Sequence, residues 1–503
     1  MGAGWGCGDV GTFRALLPAS ARPLSWLSPV PLFKSRNDML AHLFGDPTDQ
    51  QRQRWVATQI EGGTDPELTE RRYAGREHIS FLVLGDTGEG DASQYCVVPG
   101  LLNQADGTDF TYIVSDVVYP AGGVNEYENK FYRPYQDYPA PIYAVPGNHD
   151  WYDGLHGFMR HFCGARVGPQ HSAGKSRTGS LVKRAALRLL WREAPQPDEE
   201  KLRQMRALRG RPEQQGDQPA SYFALEAGPL LLVGIDTGIM ERLDHEQGAW
   251  LEWISRTSAK PKILLTGTPL YSDGTRRPVP IEGSHRTVDD IVRDREHNYL
   301  AAIGGDRHNY QRYPVRVGDG RTIQYIVSGG GGAFLHDTHL IPRVDLSGVD
   351  EDAFRCYPLR GDSLSLLSES YQQRLGWLLG NLYIPPGQAA ALMAEHIGAC
   401  PTRKGDREIE VSAATRRAYS KIIRLPQRFP GPLQEYVQRF FDRNDPPMFR
   451  SFLRIDAGDN DAAGEVAIRC FAATGCRAHE IDPPLEDSAE CVRAGDGVWR
   501  WQD

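Results

Sequence analysis

The 503-residue sequence predicts an α/β fold with a ligand cleft at the C-terminal ends of its strands. Two observations predict it. Seven short, nearly continuous apolar runs each stop at a cluster of Gly, Asp, Asn, Ser or Thr, as buried strands do when polar residues gather just past their ends. Segments with helical spacing lie between several of them; in 247–256, Trp250, Leu251, Trp253 and Ile254 recur at that spacing.

The elements follow in order. Residues 48–59 form a polar helical stretch after Pro47. Strands are expected at 78–84, before Gly85-Asp86, and at 111–114, before Ser115-Asp116. A third is expected at 142–145, before Pro146-Gly147-Asn148-His149-Asp150, and a fourth at 230–235, before Asp236-Thr237. The fifth, 262–265, precedes Thr266-Gly267-Thr268-Pro269. The sixth, 300–303, precedes Gly304-Gly305-Asp306-Arg307-His308, and the seventh, 322–327, precedes Ser328 and four glycines. The glycine run lacks a Gly-Lys-Ser/Thr ending and reads as a turn that lets backbone approach the cleft rather than as a phosphate loop. This gives an N-terminal extension (1–75) and a central domain (76–340) carrying a basic insertion at about 175–215. A mainly helical region (341–445) and a β-rich end (446–503) follow, the latter with strands at 448–455, 464–471 and 498–501. The extension, the insertion and the C-terminal third are expected to decorate the central domain.

Composition narrows the function. Lys and Arg number 57 against 65 Asp and Glu, a net charge of −8, which excludes a general nucleic-acid binder. The 40% apolar and 24% charged content is that of a globular chain, neither collagenous nor wholly disordered. No apolar run approaches the roughly 18 residues of a membrane span, and the N-terminus has no continuous apolar leader. The eight cysteines form no CxxC pair and are expected as reduced thiols in a cytoplasmic protein.

The strand-end residues carry the chemistry. Asp86, Asp116 with Tyr119, Asn148 with His149 and Asp150, and Asp306 with His308 supply carboxylate, phenol, amide and imidazole donors suited to divalent or trivalent cations. Taken singly, each is an ordinary turn or N-cap residue. In order, Gly85-Asp86-Thr87-Gly88, Ser115-Asp116-Val117-Val118-Tyr119, Gly147-Asn148-His149-Asp150 and Gly305-Asp306-Arg307-His308-Asn309-Tyr310 resemble the successive motifs of calcineurin-like metallophosphoesterases. Gly88 and Tyr119 are similar to the purple acid phosphatase branch. The resemblance covers about residues 78–335.

The resemblance implies a four-layer sandwich of two facing mixed sheets flanked by helices, holding two metal ions of Fe, Mn, Mg or Zn. Site one would use Asp86, Asp116, Tyr119 and His308; site two would use bridging Asp116, Asn148 and Asp306. His149, oriented by Asp150, would serve the leaving oxygen, and a metal-bound hydroxide would attack a phosphate mono- or diester. A phenolate from Tyr119 would favour trivalent iron. Gly267 and Thr268 stand where the family has a His before Pro269, and Asp306 replaces another His. These departures favour harder ions in site two or leave it weak, so the alternative is a catalytically weak binding or regulatory module. His285, His336 and His339 are the candidates to substitute for the missing imidazoles, and each reads as an ordinary exposed loop histidine before a ligand. Arg312 reads as a phosphate contact or a packing residue, and Trp151, Tyr152 and His156 as pocket lining or sheet packing. In the basic insertion, Arg184, Arg188 and Arg192 form a stripe fit for an anionic membrane surface, a substrate lid or a solvated face. No sequence-specific nucleic-acid partner is expected; a peripheral membrane contact is the open alternative for this cytoplasmic chain.

Overall fold

A computed structural model describes residues 7–19, 21, 24, 26, 28–165, 189–192, 197–216, 218–398, 409–424, 445–460, 463–495 and 497–502. The stripe residues Arg184 and Arg188 lie outside the described residues.

The strands in chain order are β1 (Thr69–Tyr73), β2 (His78–Leu84), β3 (Phe110–Val114), β4 (Ile142–Val145), β5 (Phe223–Ala227), β6 (Leu230–Ile235), β7 (Lys262–Thr266), β8 (Tyr271–Ser272), β9 (Thr275–Arg276) and β10 (Tyr299–Gly304). They continue with β11 (Tyr310–Arg316), β12 (Thr322–Ser328), β13 (Asp345–Leu346), β14 (Val349–Asp350), β15 (Arg355–Tyr357), β16 (Arg450–Asn460), β17 (Ala463–Ala473), β18 (Leu485–Arg493) and β19 (Trp499–Trp501). Two mixed sheets result. One has the order β1-β5-β6-β7-β10-β12-β11-β15 and the other β19-β18-β17-β16-β2-β3-β4; β8–β9 and β13–β14 are small hairpin ladders.

The alternation of side chains along each strand builds the layers. From β2, Phe81 and Val83 point into an apolar layer shared with Leu225, Leu232, Ile263, Leu265 and Ile303 of the other sheet. Leu82 and Leu84 point the opposite way, into a cluster with Tyr95, Leu101, Trp151 and Phe158. The eight-stranded sheet turns Leu231, Val233, Leu264 and Ala302 outward onto Leu251 and Ile254 of helix His245–Thr257 and onto Val288, Ile291 and Val292. The result is the four-layer α/β sandwich. Three helices, Arg360–Leu379, Pro386–Ile397 and Ala413–Arg424, bury their own cluster around Leu364, Tyr371, Leu392 and Ile422.

Two expectations are corrected. The end segments do not merely decorate the sandwich. β1 pairs in parallel with β5, and β16 pairs antiparallel with β2 from Leu453↔Val83 to Gly458↔His78, so the C-terminal strands complete the second sheet. Edge pairing of this kind satisfies backbone groups that β2 would otherwise expose. The cysteines are not all thiols either: Cys7 and Cys476 form a disulfide across 469 residues, while Cys96, Cys163, Cys356, Cys470 and Cys491 are in no disulfide. Among the described residues no helix is long and apolar enough to cross a membrane.

Candidate metal centre

β2, β3, β4 and β10 end side by side, and the residues just past them meet. Asp86, Ser115, Asp116 and Asp306 all take left-handed backbone conformations, with φ of 55°, 76°, 33° and 64°. Non-glycine residues rarely adopt that region, and strain of this kind clusters at functional sites. The chain then needs glycine beside them. A Cβ on Gly305 would sit 2.7 Å from Asp86 Oδ2, one on Gly329 2.5 Å from the same atom, and one on Gly147 2.2 Å from Asp116 Oδ1. The glycine run after β12 is therefore the close-approach turn expected from the sequence.

Tyr119 Oη donates to Asp86 Oδ1 (3.2 Å) and lies 3.1 Å from His308 Nε2, which is itself 3.9 Å from Asp86 Oδ1. His308 Nδ1 faces the Phe334 carbonyl at 2.7 Å. A carbonyl only accepts, so Nδ1 carries a proton, and Nε2 is the ring atom turned toward Tyr119 and Asp86. This is the arrangement that fixes a ligating histidine. Asp86 Oδ2 is buried and has no hydrogen-bond partner. Burial first, then the neighbouring Asp116 and Asp306 charges, pushes the Asp86 carboxyl well up; burial and Asp306 push Asp116 up. Burial first, then the Asp116, Asp86 and Glu89 charges, hold the Tyr119 phenol far above its ordinary value. Buried Asp86, with an orphaned oxygen, and buried Asp116 stand beside the partly exposed Asp306, clustered negative charge and an unmet acceptor that a cation would relieve.

The second position is sparser. Asn148 Nδ2 donates to Tyr152 Oη (2.9 Å), which leaves its amide oxygen as the atom available for a cation. Thr268 Oγ1 lies 3.2 Å from Thr237 Oγ1, at one of the two positions where the resembled family has an imidazole. Among the described residues, no group of three or more His, Cys, Asp or Glu stands close enough to hold a metal ion by itself.

His149 donates its backbone N–H to Asp116 Oδ1 (2.8 Å), and its Nδ1 faces the Pro120 carbonyl at 2.8 Å. The orienting partner expected from the sequence was Asp150. Its Oδ2 instead accepts from Val117 N (3.0 Å) and Gly147 N (3.1 Å), and its Oδ1 from Val118 N (3.3 Å), so it ties the β3 and β4 loops together. The Pro120 carbonyl orients the imidazole, with Nδ1 protonated and Nε2 available to a ligand.

Residues 79–310 match the family model described as calcineurin-like phosphoesterase. That segment is a calcineurin-like phosphoesterase domain. Proteins of this family are generally hydrolases and usually bind metal ions. No curated protein matches the chain. Among solved structures, the chain is similar to GAP50, the anchor in the inner membrane complex of Plasmodium. The identity is 14%, with 56% of this chain and 77% of that chain covered and a TM-score of 0.31.

The phosphoesterase domain opens into a cavity of about 420 Å³ lined by Asp116, Asn148, His149, Asp306 and His308 together with residues from outside the motifs. Trp26 packs edge-on against His149 at 5.3 Å and Tyr119 at 5.5 Å. His336 stacks on His308 at 4.3 Å and its Nδ1 accepts from His308 N (2.9 Å). No spacing in the sequence signals Trp26, and His336 read as a loop histidine; a fold that brings the loop after β12 over β10 places it. Arg312, expected as a phosphate contact or a packing residue, packs. It forks onto Asp487 through Nε–Oδ2 (2.6 Å) and Nη2–Oδ1 (2.8 Å). Trp151 is buried with its Nε1 on Asp236 Oδ1 (2.8 Å), and His156 packs on Trp55 at 5.0 Å. His339 is buried on Ser363 Oγ (2.9 Å).

Proposed function

We propose that the chain is a metal-dependent phosphoesterase acting on a phosphate mono- or diester. One observation carries this reading: Asp86 Oδ1, Tyr119 Oη and His308 Nε2 converge, with His308 Nδ1 held on the Phe334 carbonyl, on the cavity that His149 also lines. Asp86, Asp116, Tyr119 and His308 would hold one ion, and Asp116, Asn148 and Asp306 a second. When bound, such ions supply Lewis acidity toward phosphate oxygens and activate water. Tyr119, whose spacing after Asp116 resembles that of the purple acid phosphatase branch, would favour iron in the first position. The protein's own residues do the rest. The Pro120 carbonyl holds the His149 ring, whose Nε2 moves a proton at the leaving oxygen. Trp26 packs on that ring and limits water around it.

The sparse second position favours one alternative, a binding module of low turnover. Elemental analysis with turnover of p-nitrophenyl phosphate and its bis ester, in Mn²⁺, Fe²⁺, Zn²⁺ or Mg²⁺, separates the two. The enzyme reading expects metal-dependent turnover that Asp116→Asn abolishes along with bound metal. Metal binding without turnover in any ion favours the module. Cytoplasmic placement loses its cysteine argument, because the Cys7–Cys476 bond fits oxidising surroundings. Of the basic stripe proposed as a membrane contact or lid, Arg184 and Arg188 lie outside the described residues, while Arg192 Nη1 donates to Ala121 O (3.2 Å) and Tyr152 O (3.4 Å).

A further inference from the structure

The cavity wall holds a cation that the chemistry above does not use. Arg450 opens β16, and the next residue donates from Ser451 N to Gly330 O (2.9 Å), which seats the strand start against the glycine turn beside Asp86. Arg450 lines the cavity yet is only 1% exposed. Its Nε and Nη1 are buried with no hydrogen-bond partner, and among the described residues no carboxylate pairs with it.

The nearby acids are committed elsewhere. Asp91 and Glu480 share the surroundings of Cys96 with Arg450. Glu480 accepts from Thr12 N (2.7 Å), Thr12 Oγ1 (3.0 Å) and Phe13 N (2.5 Å). Asp91 accepts from Ser93 N (3.0 Å), Ser93 Oγ (2.8 Å) and Leu24 N (3.4 Å). The cavity's other arginine differs: Arg307 Nε sits 2.9 Å from Asp273 Oδ2. A buried guanidinium with no internal anion is costly to keep, and the cost is offset when a ligand supplies the anion. The same cavity is lined by the apolar Leu335, Ile341, Leu366 and Met448, beside His336, Asp337 and Ser370.

We propose that Arg450 is an anion-binding residue of the cleft, and that the substrate is a phosphate ester carrying a second anionic group on an apolar body. The identity of the scissile group rests on the phosphoesterase reading; the role of Arg450 does not. The planar guanidinium presents paired N–H donors that match a carboxylate or phosphate. The apolar residues cover the body that joins the two charges.

The probes are benzylphosphonate and its para-carboxymethyl derivative, titrated calorimetrically into the full chain supplied with Mn²⁺. The wild type is expected to bind the doubly anionic probe about tenfold or more tightly, the size of one charged hydrogen-bond pair. Arg450→Met should erase that ratio, and Arg450→Lys, which keeps the charge and loses the fork, should retain part of it. Arg450→Met should also unfold at the same temperature as the wild type or higher, because it removes an unpaired buried charge. Equal binding of both probes by the wild type overturns the proposal, as does an unchanged ratio in Arg450→Met. A lowered unfolding temperature would reveal an internal partner and overturn it too. If Arg450→Met does not fold, Arg450→Lys decides through its reduced ratio. Turnover of the matching benzyl phosphates separates the two readings. Turnover without the preference leaves the phosphoesterase and removes Arg450; preference in binding without turnover does the reverse.

Discussion

Gly305 is the position where one methyl group tests the site geometry most directly. A Cβ there would lie 2.4 Å from the Val114 carbonyl oxygen, 2.5 Å from Ser115 Cβ and 2.7 Å from Asp86 Oδ2. All three contacts fall below the roughly 3.0 Å that Cβ atoms keep, and the first is to backbone inside the sheet. The backbone of β3 cannot yield without shearing its pairing with β2 and β4, so the Asp86 carboxylate must move. Overpacking of this kind costs about 1–3 kcal/mol. Displacing a group that orients metal ligands costs about 10–100-fold in metal affinity. Gly305→Ala should therefore lower the unfolding temperature and weaken Mn²⁺ binding by about that factor, read by differential scanning calorimetry and metal titration. Gly318→Ala is the control. A Cβ on Gly318 meets nothing within 4 Å, so its effect should be neutral or stabilising by up to about 1 kcal/mol. Wild-type stability and metal affinity in Gly305→Ala would refute the placement of Asp86 in the glycine cradle.

Other expectations follow from single contacts. His149→Ala should lower kcat by about 10²–10⁴-fold while metal content holds, because the ring lies on Pro120 and the proton path rather than on an ion; loss of metal in this variant would contradict the role. Arg312→Ala leaves Asp487 without its fork in a region where both side chains are 11% exposed. It should destabilise the fold by about 3–5 kcal/mol in urea unfolding, with KM untouched; a raised KM at normal stability would return Arg312 to the substrate. Burial pushes His161 down to about 3 and His339 down to about 4. Both therefore stay neutral in the folded protein while the unfolded chain protonates them near pH 6.5. The unfolded state binds more protons between those values, so stability falls as pH drops from about 6.5 toward 4. The loss reaches roughly 2.7 kcal/mol per pH unit for two such groups. His161→Gln should roughly halve that slope, and an identical slope in the variant would show that His161 is not the cause.

Much of the central sheet is legible in the residues themselves. The runs 78–84, 142–145 and 230–235 are strands at the expected bounds, because each is buried on both faces and reads as continuous apolar sequence. β1, with the sequence Thr-Glu-Arg-Arg-Tyr, and β18 escaped notice. Their exposed positions are polar; β1 is an edge strand and β18 is covered on one side only by the three-residue β19, and such strands carry little hydrophobic signal. The motif residues meet at one end of the sandwich because a strand end fixes where the next side chain stands.

Sequence by itself determined the strands, their glycine and carboxylate endings, and so the pole of the fold where chemistry gathers. Those are local properties, set by burial period and by the few residues that accept a left-handed backbone. Tertiary structure alone decided the rest. It drew Trp26, His336 and Arg450 onto one cavity from three distant segments, and joined Cys7 to Cys476. It gave Asp150 to backbone amides and the His149 ring to Pro120. It also set Arg312 on Asp487 rather than in the cleft. Contacts between residues hundreds of positions apart depend on which strands pair, and no periodicity within one segment encodes that choice.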